Sequence, residues 1–247
     1  MSEAITASFV MFSGANDDQV QGYLVMPDGS APRGSVLVLH HMPGFDRGSK
    51  EIARRFATMG YNVLCPNLYW REAPDAAPDD AAAVARANGG VPDERLIGDA
   101  EGAVAYLRAL QTSNGKVGVI GYCSGGRQSV LVACTVEVDA VVDCYGAFVT
   151  GIPSDRFPLK VTNLVDQLPA LKAPLLGLFG ADDQYPSPEH VAELEEILVR
   201  EGKVHTIVNY EGTGHGFFTT DRSAYRFDSA NDGWARITEF YGTYLKG

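Results

Sequence analysis

The chain has 247 residues, of which 45% are hydrophobic and 21% are charged, and its formal net charge at pH 7 is −11. This composition is typical of a folded protein with a large core, and the acidic balance argues against binding to nucleic acid or to an anionic membrane surface. No run approaches the ~20 apolar residues of a membrane span, and the N-terminus has no signal-peptide pattern. The four cysteines show no metal-binding spacing. We therefore expect a cytoplasmic protein in a reducing setting.

The first half of the chain predicts a hairpin followed by alternating strands and helices. Two apolar runs flank a polar turn, which predicts an antiparallel hairpin. A later continuous apolar run is typical of a strand that is buried on both faces. In chain order we expect strands at 5–12, 19–26 and 35–39, a helix at 48–59, a strand at 61–65, a loop at 71–92 with one short helix at 79–87, and a helix at 94–111.

The second half continues the alternation of strands and helices. An irregular, proline-punctuated stretch at 148–170 interrupts it and could be a cap or a loop over a site. Alternation at this rhythm predicts one domain, spanning 1–247, with a mostly parallel, doubly wound sheet. The expected elements are a strand at 117–122 with a helix directly after it, strands at 139–145 and 174–179, a helix at 187–202, a strand at 204–210, and a helix at 228–245.

The motif Gly121-Tyr122-Cys123-Ser124-Gly125-Gly126 lies between the strand at 117–122 and the helix after it. This strand–turn–helix context with the pattern G-x-nucleophile-x-G predicts a nucleophile elbow, in which Cys123 is the nucleophile. The tight turn strains the central residue and leaves no room for side chains at positions 121 and 125. The helix N-terminus also favours a thiolate. On the motif alone, a buried structural cysteine is the main alternative.

Two later strand ends carry residues that could act together with such a cysteine. Asp182 and Asp183 follow the strand at 174–179, and His215 lies among glycines after the strand at 204–210. The order nucleophile, acid, histidine is that of an α/β-hydrolase triad. His215 would then be the base and proton shuttle, and an aspartate would orient it. A turn carboxylate and a loop histidine are the structural alternatives.

The motifs resemble those of the dienelactone hydrolase family, the carboxymethylenebutenolidases. The resemblance rests on C-P-N-L-Y-W-R-E-A-P at 65–74, G-Y-C-S-G-G at 121–126, G-A-D-D-Q-Y-P at 180–186 and G-H-G-F-F at 214–218. It implies the α/β-hydrolase fold, with Asp183 as the triad acid. It also implies an oxyanion hole made by the backbone N–H groups of Met42 and Ser124. Arg71 matches an arginine that binds a substrate carboxylate in this family.

The sequence departs from the family pattern at two positions. His41 stands where the family carries a glutamate that contacts the resting cysteine, and it could hydrogen-bond the thiol, pair with the thiolate or shape the pocket. Thr219 aligns with a second carboxylate-binding arginine, and Arg222 could replace that arginine or lie at the surface. His40 and His41 have no evident third ligand, so we expect no metal site.

The remaining candidates concern the pocket and the reaction. Core packing is the alternative role for each aromatic candidate, and we expect Arg127 to be structural. We predict a hydrolase that opens a small lactone or ester through an acyl-thioester, without a cofactor, as a monomer or homodimer. A thioesterase, another carboxylic ester hydrolase and a non-catalytic ligand-binding homologue are the alternatives. The candidate pocket walls are Tyr69, Trp70, Tyr145, Phe217 and Phe218.

Overall fold

The computed structural model describes residues 4–154 and 157–246. Its strands are β1 (Ile5–Ser13), β2 (Gln19–Pro27), β3 (Arg33–Leu39), β4 (Asn62–Pro66), β5 (Ser113–Tyr122), β6 (Ala140–Cys144), β7 (Leu175–Gly180) and β8 (His205–Tyr210). Its α-helices are α1 (Arg47–Thr58), α2 (Pro78–Ala87), α3 (Asp93–Arg108), α4 (Ser124–Thr135), α5 (Pro188–Arg200) and α6 (Phe227–Tyr244). Two short 3₁₀ turns lie at Ala15–Asp17 and Leu168–Ala170.

The strands form one sheet in the order β1-β2-β4-β3-β5-β6-β7-β8. The β1–β2 and β2–β4 pairs are antiparallel, and the five pairs from β4–β3 to β7–β8 are parallel. The predicted hairpin and mostly parallel sheet are therefore confirmed. The carboxyl ends of parallel strands meet at one edge, which is where such sheets hold their sites.

The central strands separate two hydrophobic cores. Along β3, Val36 and Val38 pack into the core under α1 and α6, whereas Leu37 and Leu39 pack into the core under α3 and α4. All four side chains are completely buried. The twofold alternation of strand side chains thus explains why residues 36–39 of β3 are apolar without interruption.

The strand β5 and the helix α3 differ most from their predicted bounds. The helix ends at Arg108 and not at residue 111, and β5 begins at Ser113 and not at residue 117. The extra residues of β5 are polar, which hides them from an apolar pattern, and they pair through Ser113 with Arg33 of β3 across an irregularity in the register. Asn114 donates a side-chain hydrogen bond of 2.9 Å to the carbonyl of Leu245.

The stretch 148–170 is irregular in its described part, apart from the 3₁₀ turn at its end. Residues 155 and 156 of this predicted cap lie outside the described residues. Within residues 4–154 and 157–246, no helix is both long and apolar enough to cross a membrane.

Candidate active site

Cys123 lies at the tight turn between β5 and α4. Its backbone has φ 57° and ψ −120°, and residues other than glycine rarely adopt a positive φ. A Cβ atom at Gly121 would overlap the carbonyl of Gly125, and a Cβ atom at Gly125 would overlap the carbonyl of Leu39. These contacts explain why the turn needs glycine on both sides of the cysteine.

Three side chains from separate strand ends meet at this turn. Asp183, which follows β7, lies with its Oδ2 2.8 Å from His215 Nδ1. Its other oxygen accepts a hydrogen bond of 2.8 Å from the backbone N–H of Tyr185. His215 and Cys123 line the same pocket together with Asp183, and His215 lowers the pKa of the Cys123 thiol. The structure therefore brings together the three residues that the sequence predicts as a triad.

Two backbone N–H groups also lower the pKa of the Cys123 thiol. They belong to Ser124, the first residue of α4, and to Met42, which lies in the loop after β3. The hydroxyl of Tyr69 donates a hydrogen bond of 3.0 Å to the carbonyl of Met42 and so fixes that loop. This pair of donors is the geometry expected of an oxyanion hole.

The electrostatics favour a charged pair at Cys123 and His215. Burial raises the pKa of the Cys123 thiol. His215 and the two N–H groups lower it by more than burial raises it, so the pKa lies below its usual range. Burial lowers the pKa of His215, but Asp183 and Cys123 outweigh it and raise the pKa to about 10. Both directions favour thiolate and imidazolium over thiol and neutral ring.

Tyr145 supports the His215 ring from one side. Their ring centroids are 5.0 Å apart in an edge-to-face arrangement, and Tyr145 is buried. The turn that carries Tyr145 is held by Asp143, whose Oδ1 accepts a hydrogen bond of 2.7 Å from the N–H of Gly146. Burial raises the pKa of this Asp143 carboxyl to about 7.

A cavity of about 220 Å³ opens beside Cys123. Its walls are mostly apolar and come from the loop after β3, from α4 and from the irregular stretch after β6. Two cations, Arg86 and Arg127, also line it. The apolar wall consists of Met42, Tyr69, Val91, Ala147, Phe148, Phe157, Pro158, Leu159 and Val161.

The two cations of this cavity differ in what they already bind. Arg127 is buried, and its guanidinium binds Asp93 at 2.8 and 2.7 Å and the carbonyl of Thr162 at 3.1 and 2.8 Å, in keeping with the expected structural role. Arg86, at the end of α2, is exposed, and its guanidinium has no hydrogen bond or ion pair with any residue that the structure describes. Sequence reasoning missed Arg86. Its one signal is that it stands as a single cation in an alanine-rich segment.

Arg71 is bound by carboxylates of the protein itself. Its Nη1 and Nη2 each donate to Asp99 at 2.8 Å, and its Nε donates to Asp18 at 2.7 Å. The Asp99 side chain is 1% exposed, so this arginine neutralises a buried charge. Arg71 is also absent from the described lining of the cavity beside Cys123. The structure therefore does not bring Arg71 to the site, in contrast to the role that the resemblance implies.

Three other candidates line neither of the two pockets that include Cys123. His41 binds Asp46, with Nε2 and Oδ2 2.6 Å apart, and it lines a different cavity. Phe217 is completely buried against Tyr145 and Tyr210 as part of the core. Arg222 is exposed and lines neither this cavity nor the shallower pocket that holds His215.

Two further aromatic candidates and the paired histidines also have structural partners. Trp70 packs partly buried against the core under α3 and α4, and Phe218 is buried on the other side of the sheet. The His40 ring is occupied by the carbonyl of His41 and the N–H of Leu68. Among the described residues no cluster of three or more His, Cys, Asp or Glu side chains could hold a metal ion.

The model of the dienelactone hydrolase family matches residues 20–245. The chain belongs to the dienelactone hydrolase family. A Methylorubrum extorquens protein provisionally named carboxymethylenebutenolidase is 32% identical over 92% of this chain and 78% of that protein. The carboxymethylenebutenolidase of Pseudomonas putida is 30% identical over 85% of each chain.

A solved structure of a similar protein has the same fold. A Klebsiella pneumoniae protein, provisionally named a dienelactone hydrolase, superposes with a TM-score of 0.86 at 26% identity, over 98% of this chain and 100% of that one. The predicted family and the α/β-hydrolase fold are therefore confirmed. The protein is accordingly a hydrolase of the dienelactone hydrolase family.

The partners of Arg71 lead to a prediction about stability. We expect Arg71→Leu to lower the free energy of unfolding by about 3 kcal/mol, because Asp99 would stay buried without its cation. The midpoint of urea unfolding measures this loss. Arg47→Leu is the matched control, and we expect no measurable loss there because Arg47 pairs with Glu51 at the surface. An unchanged midpoint for Arg71→Leu would contradict the assigned structural role.

The shifted pKa values predict how alkylation of Cys123 depends on pH. Because the pKa of Cys123 is lowered, we expect its reaction with iodoacetamide to persist below the ordinary thiol range near 8.5. In His215→Gln the counter-charge is gone and burial remains, so the midpoint should move to higher pH. Peptide mass spectrometry separates Cys123 from Cys134, whose pKa burial raises to about 12. Equal midpoints in both proteins would contradict the ion pair.

Proposed function

We propose that this protein hydrolyses a small lactone or carboxylic ester through a covalent acyl-thioester on Cys123. The observation that carries the proposal is that Asp183, hydrogen-bonded to His215, meets Cys123 at one pocket. His215 and the N–H groups of Met42 and Ser124 lower the pKa of the thiol there. The names of the carboxymethylenebutenolidase relatives support the same class of substrate.

In the first half of the reaction the thiolate of Cys123 attacks the carbonyl carbon. The carbonyl oxygen becomes an oxyanion, and the N–H groups of Met42 and Ser124 stabilise it. Donors of this kind contribute roughly 10²–10³ each in rate. The tetrahedral intermediate then collapses, the carbon–oxygen bond breaks, and the imidazolium of His215 gives its proton to the leaving alkoxide. In a lactone that alcohol stays attached to the acyl group.

In the second half His215 is neutral and removes a proton from water. The hydroxide attacks the thioester carbonyl, and the same two N–H groups stabilise the second oxyanion. The carbon–sulfur bond breaks and the carboxylic acid leaves, which restores the thiolate and the imidazolium. Asp183 holds the ring of His215 in one orientation through both halves.

The cavity beside Cys123 defines the substrate class further. Its apolar walls, from Phe148 and Phe157 to Tyr69, suit a compact apolar or conjugated acyl group. Arg86 is the cation of this cavity that no described carboxylate occupies, and Arg71 is neutralised by Asp18 and Asp99. We therefore assign any substrate carboxylate to Arg86.

The nucleophile is tested by turnover and by mass. We expect Cys123→Ala to lose at least 10³-fold in kcat on an activated aryl ester while it stays folded, because no thiolate remains. The wild type, stopped during turnover, should gain the mass of one acyl group on Cys123. Cys134→Ala is the control, since Cys134 is a partly exposed thiol away from the site. Full turnover by Cys123→Ala would end the proposal, and acylation without turnover would favour the non-catalytic alternative.

The role of Arg86 is tested with a matched pair of esters, one with a distal carboxylate and one with a neutral group of the same size. We expect Arg86→Gln to raise KM about tenfold for the acidic ester only, since a lost charge-assisted contact of about 1.4 kcal/mol acts on binding. Arg222→Gln, an exposed arginine away from the cavity, should change neither ester. An equal effect of Arg86→Gln on both esters would refute charge recognition.

A further inference from the structure

A second cavity lies close to the active site but is separate from it. Its volume is about 180 Å³, and neither Cys123 nor His215 lines it. Tyr145 lines the cavity, and its ring lies 5.0 Å from that of His215. The cavity is formed by the carboxyl ends of the central strands, by α1, by α6 and by the loop after His215.

Aromatic rings form much of its wall. Tyr122, Tyr145, Phe218 and Trp234 are all buried and line it. Phe218 packs edge-to-face against Tyr122 and against Trp234, with centroid distances of 5.6 Å in both cases. A cavity of roughly 150 Å³ with apolar walls is known to hold benzene. This cavity is therefore large enough for a single ring.

Two hydrogen-bond donors at the cavity lack partners in the described part of the chain. The buried hydroxyl of Tyr122 has no hydrogen bond, and burial raises its pKa well above the usual range, so it remains protonated. A buried hydroxyl without a partner is costly, which favours a ligand that accepts a hydrogen bond. The guanidinium of Arg55 stacks on Trp234, 4.0 Å from the ring centroid, and has no hydrogen bond or ion pair with a described residue.

Three other ionisable side chains of the cavity already have partners. Glu51 accepts a bond of 2.8 Å from Arg47. His41 is held by Asp46 at 2.6 Å, and its neighbour His40 is occupied through both ring nitrogens. The unengaged charge among the described lining residues is thus the positive charge of Arg55, beside an unengaged hydroxyl donor. Both groups suit a carboxylate.

We propose that this cavity is a second, non-reacting binding site for a small carboxylate with a one-ring apolar body. The ring would pack against Tyr145, Phe218 and Trp234, and the carboxylate would accept hydrogen bonds from Arg55 and Tyr122. The site does not depend on the proposed reaction, because no residue of the Cys123–His215–Asp183 chain lines it.

Benzoate is the probe, titrated by ligand-observed NMR into full-length protein whose Cys123 has been alkylated to block the reaction cavity. We expect saturable binding with a dissociation constant on the order of 1 mM, as suits so small a ligand. Arg55→Gln and Tyr122→Phe should each weaken it by about fivefold or more. Arg54→Gln is the matched control, because Arg54 is the neighbouring exposed arginine of α1 and stacks on Tyr23 away from the cavity. Neutral benzamide should bind the wild type more weakly than benzoate.

Three results would overturn the proposal. One is the absence of saturable binding to the alkylated protein. Another is binding that Arg55→Gln leaves unchanged. This variant should stay folded, because Arg55 is exposed. The third is binding that alkylation of Cys123 abolishes and Arg86→Gln weakens, which would assign benzoate to the reaction cavity.

Discussion

The strained backbone of Cys123 is the constraint on which the site depends. A positive φ at a residue with a side chain costs roughly 1–3 kcal/mol and persists only where the surroundings fix it. Here β5 pairs with strands on both sides, and the N–H of Cys123 donates a bond of 3.0 Å to the carbonyl of Cys144. Glycines at 121 and 125 allow α4 to approach the sheet. The strain leaves the sulfur at the N-terminus of α4, beside the N–H of Ser124.

The second requirement is that the Cys123 thiolate and the His215 imidazolium are present at the same time. A buried thiolate or a buried imidazolium alone would be neutralised, because burial opposes each charge. As a pair they offset that penalty, and the nearly inaccessible Asp183 stabilises the ring further. Since the three side chains come from the ends of β5, β7 and β8, only the folded parallel sheet assembles the pair. The charge state of Cys123 is therefore a property of the fold and not of the elbow motif.

The sequence predicts well what is decided locally. The elbow has its cause within six residues, and the position of Asp183 and His215 after strand ends follows from the alternation of strands and helices. The sequence does not predict which residue an arginine side chain will pair with. Arg71 is bound by Asp99, 28 positions away, and by Asp18, 53 positions away, and no pattern reveals that pairing. Arg86 carries no motif at all, so only the cavity wall identifies it.

The wall of the cavity beside Cys123 is linked to the proposed oxyanion hole through the first turn of α4. The N–H of Ser124 lowers the pKa of Cys123, and Arg127, one turn later, binds both Asp93 at the start of α3 and the carbonyl of Thr162 in the irregular stretch after β6. Because Ser124 and Arg127 lie one turn apart on α4, a displacement of Thr162 would be transmitted through Arg127 to the helix that carries the Ser124 N–H. The apolar wall of this cavity and the N–H of Ser124 are therefore not independent parts. A substitution in the wall should alter rate as well as affinity, since binding and orientation share one support.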